Sequence, residues 1–375
     1  MTMHVAISGW LLGEPSGANR RLLALVSHAA ASLAPNERIT VLHRRDWRPP
    51  STFADRVAWR PIEIPASPSL RRVLAERRVL PRLLRELGAT VLDHGFLPLP
   101  SVPIPTCLLV HDTRGVDGLS RWPKAIAHRV LRRSCEHATV VVVPSEWTAA
   151  RVRAACERAP RIVVVPNGVE LPPPSPDALG EHLLHVGHLE PRKNLDVVVR
   201  ALARVPVEQR RHLWLVGRDA GAGPGLRRLA AELGVAANVR FVGTLGEPAL
   251  QQLYATARAV VVPSLHEGFG LAALEALAHG RPVLASAAGA LPEVCGAHAT
   301  LLPPHDVDAW AQALGTNLDD SEATRATRRS HAAEFDWAAA ARRLVAAWRE
   351  AHGGNQRTSQ TMPTTMPTAS NNTPA

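Results

Sequence analysis

Two glutamates eight positions apart, Glu267 and Glu275, bracket a Gly-Phe-Gly turn in the segment HEGFGLAALEALAHG, residues 266–280. An ionised carboxylate accepts hydrogen bonds and repels anions, so Glu267 suits the hydroxyls of a sugar, and Glu275 suits the vicinal hydroxyls of a ribose. The turn between them suits the opposite kind of group. It follows the strand pattern RAVVVPSL and precedes a helical pattern that starts near Gly270. The N–H groups of Gly268, Phe269, Gly270 and Leu271 therefore stand at a helix start, where unpaired donors and the helix dipole attract phosphate. A second cluster lies in HVGHLEPRKNLDVVVRAL, residues 185–202, where His188, Arg192 and Lys193 gather between a strand ending at Gly187 and a helix starting near Lys193 or Asn194. Three potential cations there suit a diphosphate. Only Lys124 and Lys193 are lysines among the 43 Lys and Arg, so a compact ammonium at position 193 is conspicuous in an arginine-rich chain. The plainer readings are a solvated helix glutamate for Glu275 and an ordinary basic helix start at 192–193. The joint occurrence of strand end, glycine turn, helix start and two acids weighs against them.

Two further segments sit where a loop can reach a ligand. GEPSGANRRLL, residues 13–23, follows the first strand and opens a helix, and Gly17 lies in it. LLVHDTRG, residues 108–115, ends a strand at His111, whose imidazole can hydrogen-bond a sugar hydroxyl or simply cap the strand. Neither the GxGxxG dinucleotide fingerprint nor the GxxxxGK[ST] phosphate loop occurs, which removes the main support for those classes.

The elements that must hold these residues are legible as alternation. Apolar runs at 5–8, 39–43, 90–93, 106–111, 139–143 and 161–166 read as buried parallel strands, with helical patterns between them such as 18–33 and 145–156, the latter capped by Ser145. Prolines crowd residues 166–180, and a second series of strands follows at 182–187, 212–217, 238–243, 258–263 and 281–286. The fold class is α/β, with two Rossmann-like doubly wound domains facing a central cleft. The expected division is a front domain 1–168, a linker 169–181, a back domain 182–335, a helix 336–352 able to cross back to the front domain, and a disordered polar tail 353–375. A basic amphipathic pattern at 67–87 could lie on an anionic membrane surface or face the core, and Pro81 is expected to kink or divide it.

Composition narrows the partners. Residues 1–168 carry 24 Lys and Arg against 13 Asp and Glu, while residues 169–375 carry 19 against 20, so the basic surface is in front. Such a surface attracts nucleic acid, anionic lipid or a phosphorylated small molecule. Aromatics at 4% are sparse for base stacking, so nucleic acid is not the expected partner. Four cysteines without metal-ligand spacing suggest reduced thiols and no zinc site. The start has no basic leader, and no apolar run reaches the ~18 residues of a membrane span, so a cytoplasmic protein with at most peripheral membrane contact is expected.

These motifs resemble glycosyltransferase family 4, retaining enzymes of the GT-B architecture with a group 1 domain. The likeness is strongest over residues 180–305, through HVGHLEPRKNL, LWLVGRDAG, the E-x7-E pair and GALPEVCGAHATLLPPHDVDA, and looser in front, through SGANRRLL, LLVHD, VVPSEWT and VVVPNGV. The resemblance implies a nucleotide-sugar donor held by the back domain, with Lys193 and Arg192 on the departing diphosphate beside the amides at 268–271. It implies Glu275 on ribose, Glu267 on the donor sugar, the loop Gly243, Thr244 and Leu245 near the base, and His111 reaching the sugar from the front. Two departures are His188, where many members have arginine, and the single Gly17, where a glycine pair is common. The implied activity is transfer of a hexose, with a lean to mannose, to a glycan or lipid-linked acceptor in cell-surface polysaccharide synthesis, with no cofactor and no metal. A GT-B sugar-nucleotide epimerase and a basic nucleic-acid-binding protein are the alternatives.

Overall fold

Two runs of short, β-branched-rich segments separated by helices fold into two parallel sheets. The computed structural model describes residues 2–10, 12–13, 17–50, 53, 56–65, 69–115, 123–173 and 180–360. The front lobe runs β1 (His4–Ser8), α1 (Gly17–Ser32), β2 (Arg38–Arg44), β3 (Val57–Ile62), α2 (Ser69–Leu87) and β4 (Val91–His94). It continues with β5 (Thr106–Leu109), α3 (Lys124–His137), β6 (Val140–Val143), α4 (Glu146–Ala155) and β7 (Ile162–Val164). The back lobe begins with β8 (His182–Val186), α5 (Leu195–Arg204), β9 (His212–Val216), α6 (Gly223–Glu232), β10 (Val239–Gly243) and α7 (Glu247–Thr256). β11 (Ala259–Val262), α8 (Leu271–Ala278), β12 (Val283–Ser286), α9 (Leu291–Cys295) and β13 (Thr300–Leu302) complete its sheet. Three helices follow, α10 (Val307–Gly315), α11 (Glu322–Ala333) and α12 (Trp337–Gln360).

The front sheet has the order β3-β2-β1-β4-β5-β6-β7 and the back sheet β10-β9-β8-β11-β12-β13. Each reverses direction at its first strand, so the crevice at the carboxyl ends of β1 and β4, and of β8 and β11, is where a doubly wound sheet receives a ligand. The strands β1, β4, β6, β11 and β12 are buried along their whole length, as a sheet covered on both faces requires.

The last helix belongs to the front lobe in space. Trp337, Ala341, Leu344, Val345, Trp348 and Ala351 of α12 share one core with Val5, Ile39, Val91 and Val140. Trp348 Nε1 donates to Asp93 Oδ2 at 2.6 Å. Burial pushes the Asp93 carboxyl up to about 6, opposed by the Trp348 bond and by Arg21.

Three sequence expectations are corrected. The polar composition from residue 353 predicts disorder, yet α12 runs through Gln360. Its packed first four turns supply the nucleus, so the helix continues through Gly353 and Gly354 although each costs roughly 1 kcal/mol relative to alanine. Residues 361–375 and 174–179 of the expected tail and linker lie outside the described residues. Of the two outcomes expected at Pro81, division is the one overturned: α2 is a single helix with Pro81 inside it, and the Arg77 carbonyl that the proline leaves without a helical donor belongs to an exposed residue. The strands β3 and β13 escape the apolar-run criterion because both contain exposed positions and are edge strands.

Trp348→Ala is expected to cost about 3–5 kcal/mol, from the cavity and from the abandoned Asp93 carboxyl. Urea unfolding followed by front-lobe tryptophan fluorescence checks it, and a loss under about 1 kcal/mol would show that α12 only rests on the sheet.

Candidate active site

The basic cluster is built by a tight turn. After β8 the chain makes a single 3-10 turn over Pro191–Lys193 and reverses at Asn194, a non-glycine residue with φ 54°. Asparagine tolerates that left-handed conformation, and here its amide is also used, donating to Pro263 O at 3.1 Å and Pro304 O at 2.6 Å. Those two carbonyls follow β11 and β13, so the turn is fastened to the sheet edge. Leu265 N donates to Arg192 O at 2.9 Å, which ties the turn to the loop before α8.

Lys193 is thereby buried and aimed at Glu267: Nζ lies 2.5 Å from Oε1. Glu267 also accepts from Ser264 Oγ at 2.8 Å, and Arg192 Nη1 stands 3.5 Å from its other oxygen. Burial pushes this carboxyl upward, but Lys193, Arg192 and the Ser264 bond prevail and hold it at about 2. It is ionised at any working pH. Arg192 is further held by Glu190 at 2.6 Å and by His266 O at 2.9 Å.

Gly270 takes φ 107° to start α8, a conformation only glycine enters cheaply. Among the described residues, the N–H groups of Gly268, Phe269, Gly270 and Leu271 donate no hydrogen bond. The structure thus brings an ammonium, a guanidinium and a row of free amides to one helix start, which is chemistry for a dianionic leaving group.

Glu275 lies on α8, buried, and its donors come from the protein. Tyr254 Oη donates to Oε2 at 2.7 Å, and Arg20 Nη1 of the front lobe pairs with Oε1 at 2.8 Å. Burial still raises its pKa, against the pull of Arg20 and Tyr254. A carboxylate offers about four lone-pair sites, so two remain for a diol.

The lobes meet at this place. Gly268 is pressed against the end of β5: a Cβ added to it would lie 2.0 Å from His111 O. Gly17 faces Leu271, with 3.3 Å between a hypothetical Cβ and Leu271 Cδ1. Burial and Arg21 lower the His111 imidazole to about 4, so it is neutral at physiological pH. His188 is half-buried, its Nδ1 has no hydrogen-bond partner among the described residues, and burial and Arg218 lower its pKa. Gly243, Thr244 and Leu245 stand at the carboxyl end of β10, two strands from β8, with Gly243 O accepting from Gly217 N at 2.9 Å. Among the described residues no group of three or more His, Cys, Asp or Glu side chains could hold a metal ion.

Reading the sequence misses Arg20 and Tyr254, the partners of Glu275. Arg20 stands three residues after Gly17 in the same loop-to-helix segment, which was the available signal; Tyr254, 21 positions before Glu275, gave none.

The sequence matches the family described as Glycosyltransferase Family 4 over residues 15–171 and that described as Glycosyl transferases group 1 over residues 180–320. The chain belongs to glycosyltransferase family 4. D-inositol 3-phosphate glycosyltransferase of Mycolicibacterium paratuberculosis is 42% identical over 176 residues, 44% of this chain and 39% of that protein. Its namesake from Thermobispora bispora is 37% identical over 238 residues, 56% of each chain. The chain spans 39% of the first of these relatives and 41% of the next, from Mycobacterium avium, so the matches are partial. Among solved structures, sucrose-phosphate synthase from Thermosynechococcus elongatus superposes with a TM-score of 0.74 at 21% identity, covering 94% of this chain and 100% of that one. WaaG, a glycosyltransferase involved in lipopolysaccharide biosynthesis, gives 0.67 at 18% identity over 88% and 94%. Likenesses this distant establish the GT-B fold of the family 4 chain and nothing finer.

Buried neutral histidines make its stability fall in mild acid. Burial and Lys193 hold His185, behind the cationic turn, at about 4; burial and Arg72 hold His94 at about 3. Both titrate at 6.5 when unfolded, so the unfolded chain binds more protons below that pH, and each costs up to about 1.4 kcal/mol per pH unit down to its folded pKa. Glu267 adds the same sign lower down: its stabilisation is complete above about 4.5 and lost as pH falls towards about 2. Asp93 and Glu76, raised by burial to about 6 and about 7, gain stability in the same window and offset part of the loss, while His111 and His279, both held at about 4, add to it. The net sign is a loss, so the urea midpoint should be lower at pH 5.5 than at pH 7.5, and a higher midpoint at pH 5.5 would contradict it.

Proposed function

We propose that this chain transfers a hexose from a nucleoside-diphosphate sugar to a hydroxyl of a glycan or lipid-linked acceptor, with retention of anomeric configuration. The observation that carries the proposal is the buried Lys193–Glu267 pair beside the free amides at the start of α8. Breaking the bond between sugar and diphosphate builds negative charge on phosphate oxygens. Lys193, Arg192 and the amides of 268–271 are fixed in advance where that charge would develop, which lowers the barrier without reorganisation. In the structure Glu267 neutralises Lys193. When the diphosphate takes the ammonium, the carboxylate is released to accept hydroxyl bonds from the donor hexose.

Glu275, with lone pairs left over, takes the ribose. Gly17 approaches the diphosphate from the front lobe, the loop 243–245 lines the base, and neutral His111 donates to the sugar. His188, neutral at pH 7, contributes a hydrogen bond where an arginine would add charge. Retention needs no protein nucleophile if the leaving phosphate itself receives the acceptor's proton on the same face. The donors to assay first are UDP-hexoses and GDP-mannose. HepE of Anabaena, a fold relative at 19% identity with a TM-score of 0.68 over 96% of this chain and 100% of that one, was solved with UDP and glucose, and the sequence relatives are named D-inositol 3-phosphate glycosyltransferases.

The reading includes work at a membrane surface in polysaccharide synthesis, on the cytoplasmic side. Among the described residues no helix is long and apolar enough to cross a membrane. Leu70 and Leu74 of α2 are 68% and 47% exposed, one turn apart, with the exposed Arg71, Arg78, Arg82 and Arg85 on the same helix. Sedimentation with phosphatidylglycerol vesicles at low salt should carry the protein down, and Leu70→Glu with Leu74→Glu should abolish it; equal binding to neutral phosphatidylcholine would refute an electrostatic contact.

Lys193→Ala and Glu267→Ala should each remove about 2.7–4 kcal/mol of transition-state stabilisation, a loss of ~10²–10³ in kcat, with the protein still folded by circular dichroism. Nucleoside-diphosphate release from UDP-glucose and GDP-mannose measures it, and full activity in either variant refutes its role.

A further inference from the structure

The first turn of α4, Ser145 to Thr148, makes five contacts across the cleft that donor binding does not require. Ser145 Oγ donates to Gly268 O at 2.7 Å, and Thr148 Oγ1 donates to the same carbonyl at 3.1 Å. Glu293, on α9 of the back lobe, places one carboxylate oxygen 2.8 Å from Glu146 N and the other 2.9 Å from Trp147 N. The Trp147 ring meets the His266 ring edge-on, with centroids 4.8 Å apart. Ser145 is also an ordinary helix cap, since Oγ accepts from Thr148 N at 3.1 Å. That duty uses a lone pair; the single hydroxyl proton has two acceptors in reach, Gly268 O at 2.7 Å and Thr148 Oγ1 at 3.0 Å, and the shorter contact is the one across the cleft. Ser145 and Thr148 are both 0% exposed, so the carbonyl they hold is shut off from water.

That carbonyl belongs to the peptide joining Gly268 and Phe269. In a planar trans peptide the C=O and the N–H point in opposite directions. Pinning Gly268 O to the front lobe therefore aims the Phe269 N–H away from α4, back over the start of α8, where it stands undonated beside the Lys193–Glu267 pair. A peptide next to glycine rotates easily when nothing holds it. The two hydroxyls hold it only when the lobes are together, and the Glu293 fork on the α4 amides keeps them together with a carboxylate at the positive end of a ten-residue helix.

We infer that the Ser145–Thr148 turn is a positioning clasp, through which closure of the front lobe aims the Phe269 amide at the departing diphosphate. This rests on the donor-site reading given above. Leaving-group stabilisation is then complete only in the closed molecule, whereas the nucleotide is bound by the back lobe whether or not the clasp is made.

Thr148→Val tests the clasp while keeping the side-chain shape and the Ser145 cap, and Glu293→Gln tests it from the other lobe without touching a buried core. Affinity for UDP and GDP is measured by calorimetry, and turnover by nucleoside-diphosphate release from UDP-glucose and GDP-mannose. In both variants the affinity of whichever nucleotide the wild type binds should stay within about twofold while kcat drops about tenfold or more, as expected when a catalytic donor is misaimed by a fraction of an ångström. Thr148→Ser, which restores a hydroxyl, should recover most of that loss. If the wild type turns over and Thr148→Val keeps its kcat, or if nucleotide affinity falls in step with kcat, the clasp is wrong and the donor site stands. If the wild type binds neither nucleotide, the donor reading fails and the clasp fails with it.

Discussion

A buried ion pair placed at a helix start is the constraint around which the rest of the molecule is arranged. Two opposite charges removed from water gain little net stability unless every remaining lone pair and proton is also satisfied. The chain satisfies most of them locally: Ser264 serves Glu267, Asn194 fastens the turn that carries Lys193, and Arg192 bridges Glu190 and the His266 carbonyl, leaving only its Nε without a partner among the described residues. Each is held by backbone leaving the carboxyl edge of the sheet. A parallel sheet is suited to this because its strands all deliver their loops to one edge, and a strand-loop-helix unit turns the free amides of the helix toward the same point.

The two lobes contribute unequal chemistry. The back lobe carries charge fixed by its own loops, while the front lobe contributes hydroxyls, an imidazole kept neutral by burial and one arginine, Arg20, that reaches Glu275. The excess of positive charge in front is mostly at its surface, on α2 and α3, away from the acids. This division separates recognition of a diphosphate, which needs few and well-placed cations, from the broader attraction that a basic face exerts on an anionic surroundings.

Much of this is legible in the sequence alone. The alternation of apolar runs and helical periods gives both doubly wound sheets, and the joint occurrence of Lys193, Glu267 and the glycine turn marks the site, because strand end, turn and helix start are local events written in adjacent residues. What was illegible is what depends on contacts between distant segments. Tyr254 and Arg20 reach Glu275 from 21 residues away and from the other lobe, and Glu293 finds the amides of α4 from 147 positions away. β3 and β13 are exposed edge strands whose composition does not announce burial. The extension of α12 past residue 353 shows a packed nucleus overriding poor local propensity.

The return of α12 to the front sheet fixes an order of events during synthesis. Val5, Ile39, Val91 and Val140 emerge from the ribosome early, but the tryptophans that cover them, Trp337 and Trp348, are added 173 and 184 residues after the end of the front sheet's last strand at Val164. Until then that apolar surface is covered only in part, by Leu25, Val26 and Ala29 of α1, and the nascent chain must hold the rest out of reach of other chains while the back lobe is made. The front lobe, first to be translated, is last to be finished.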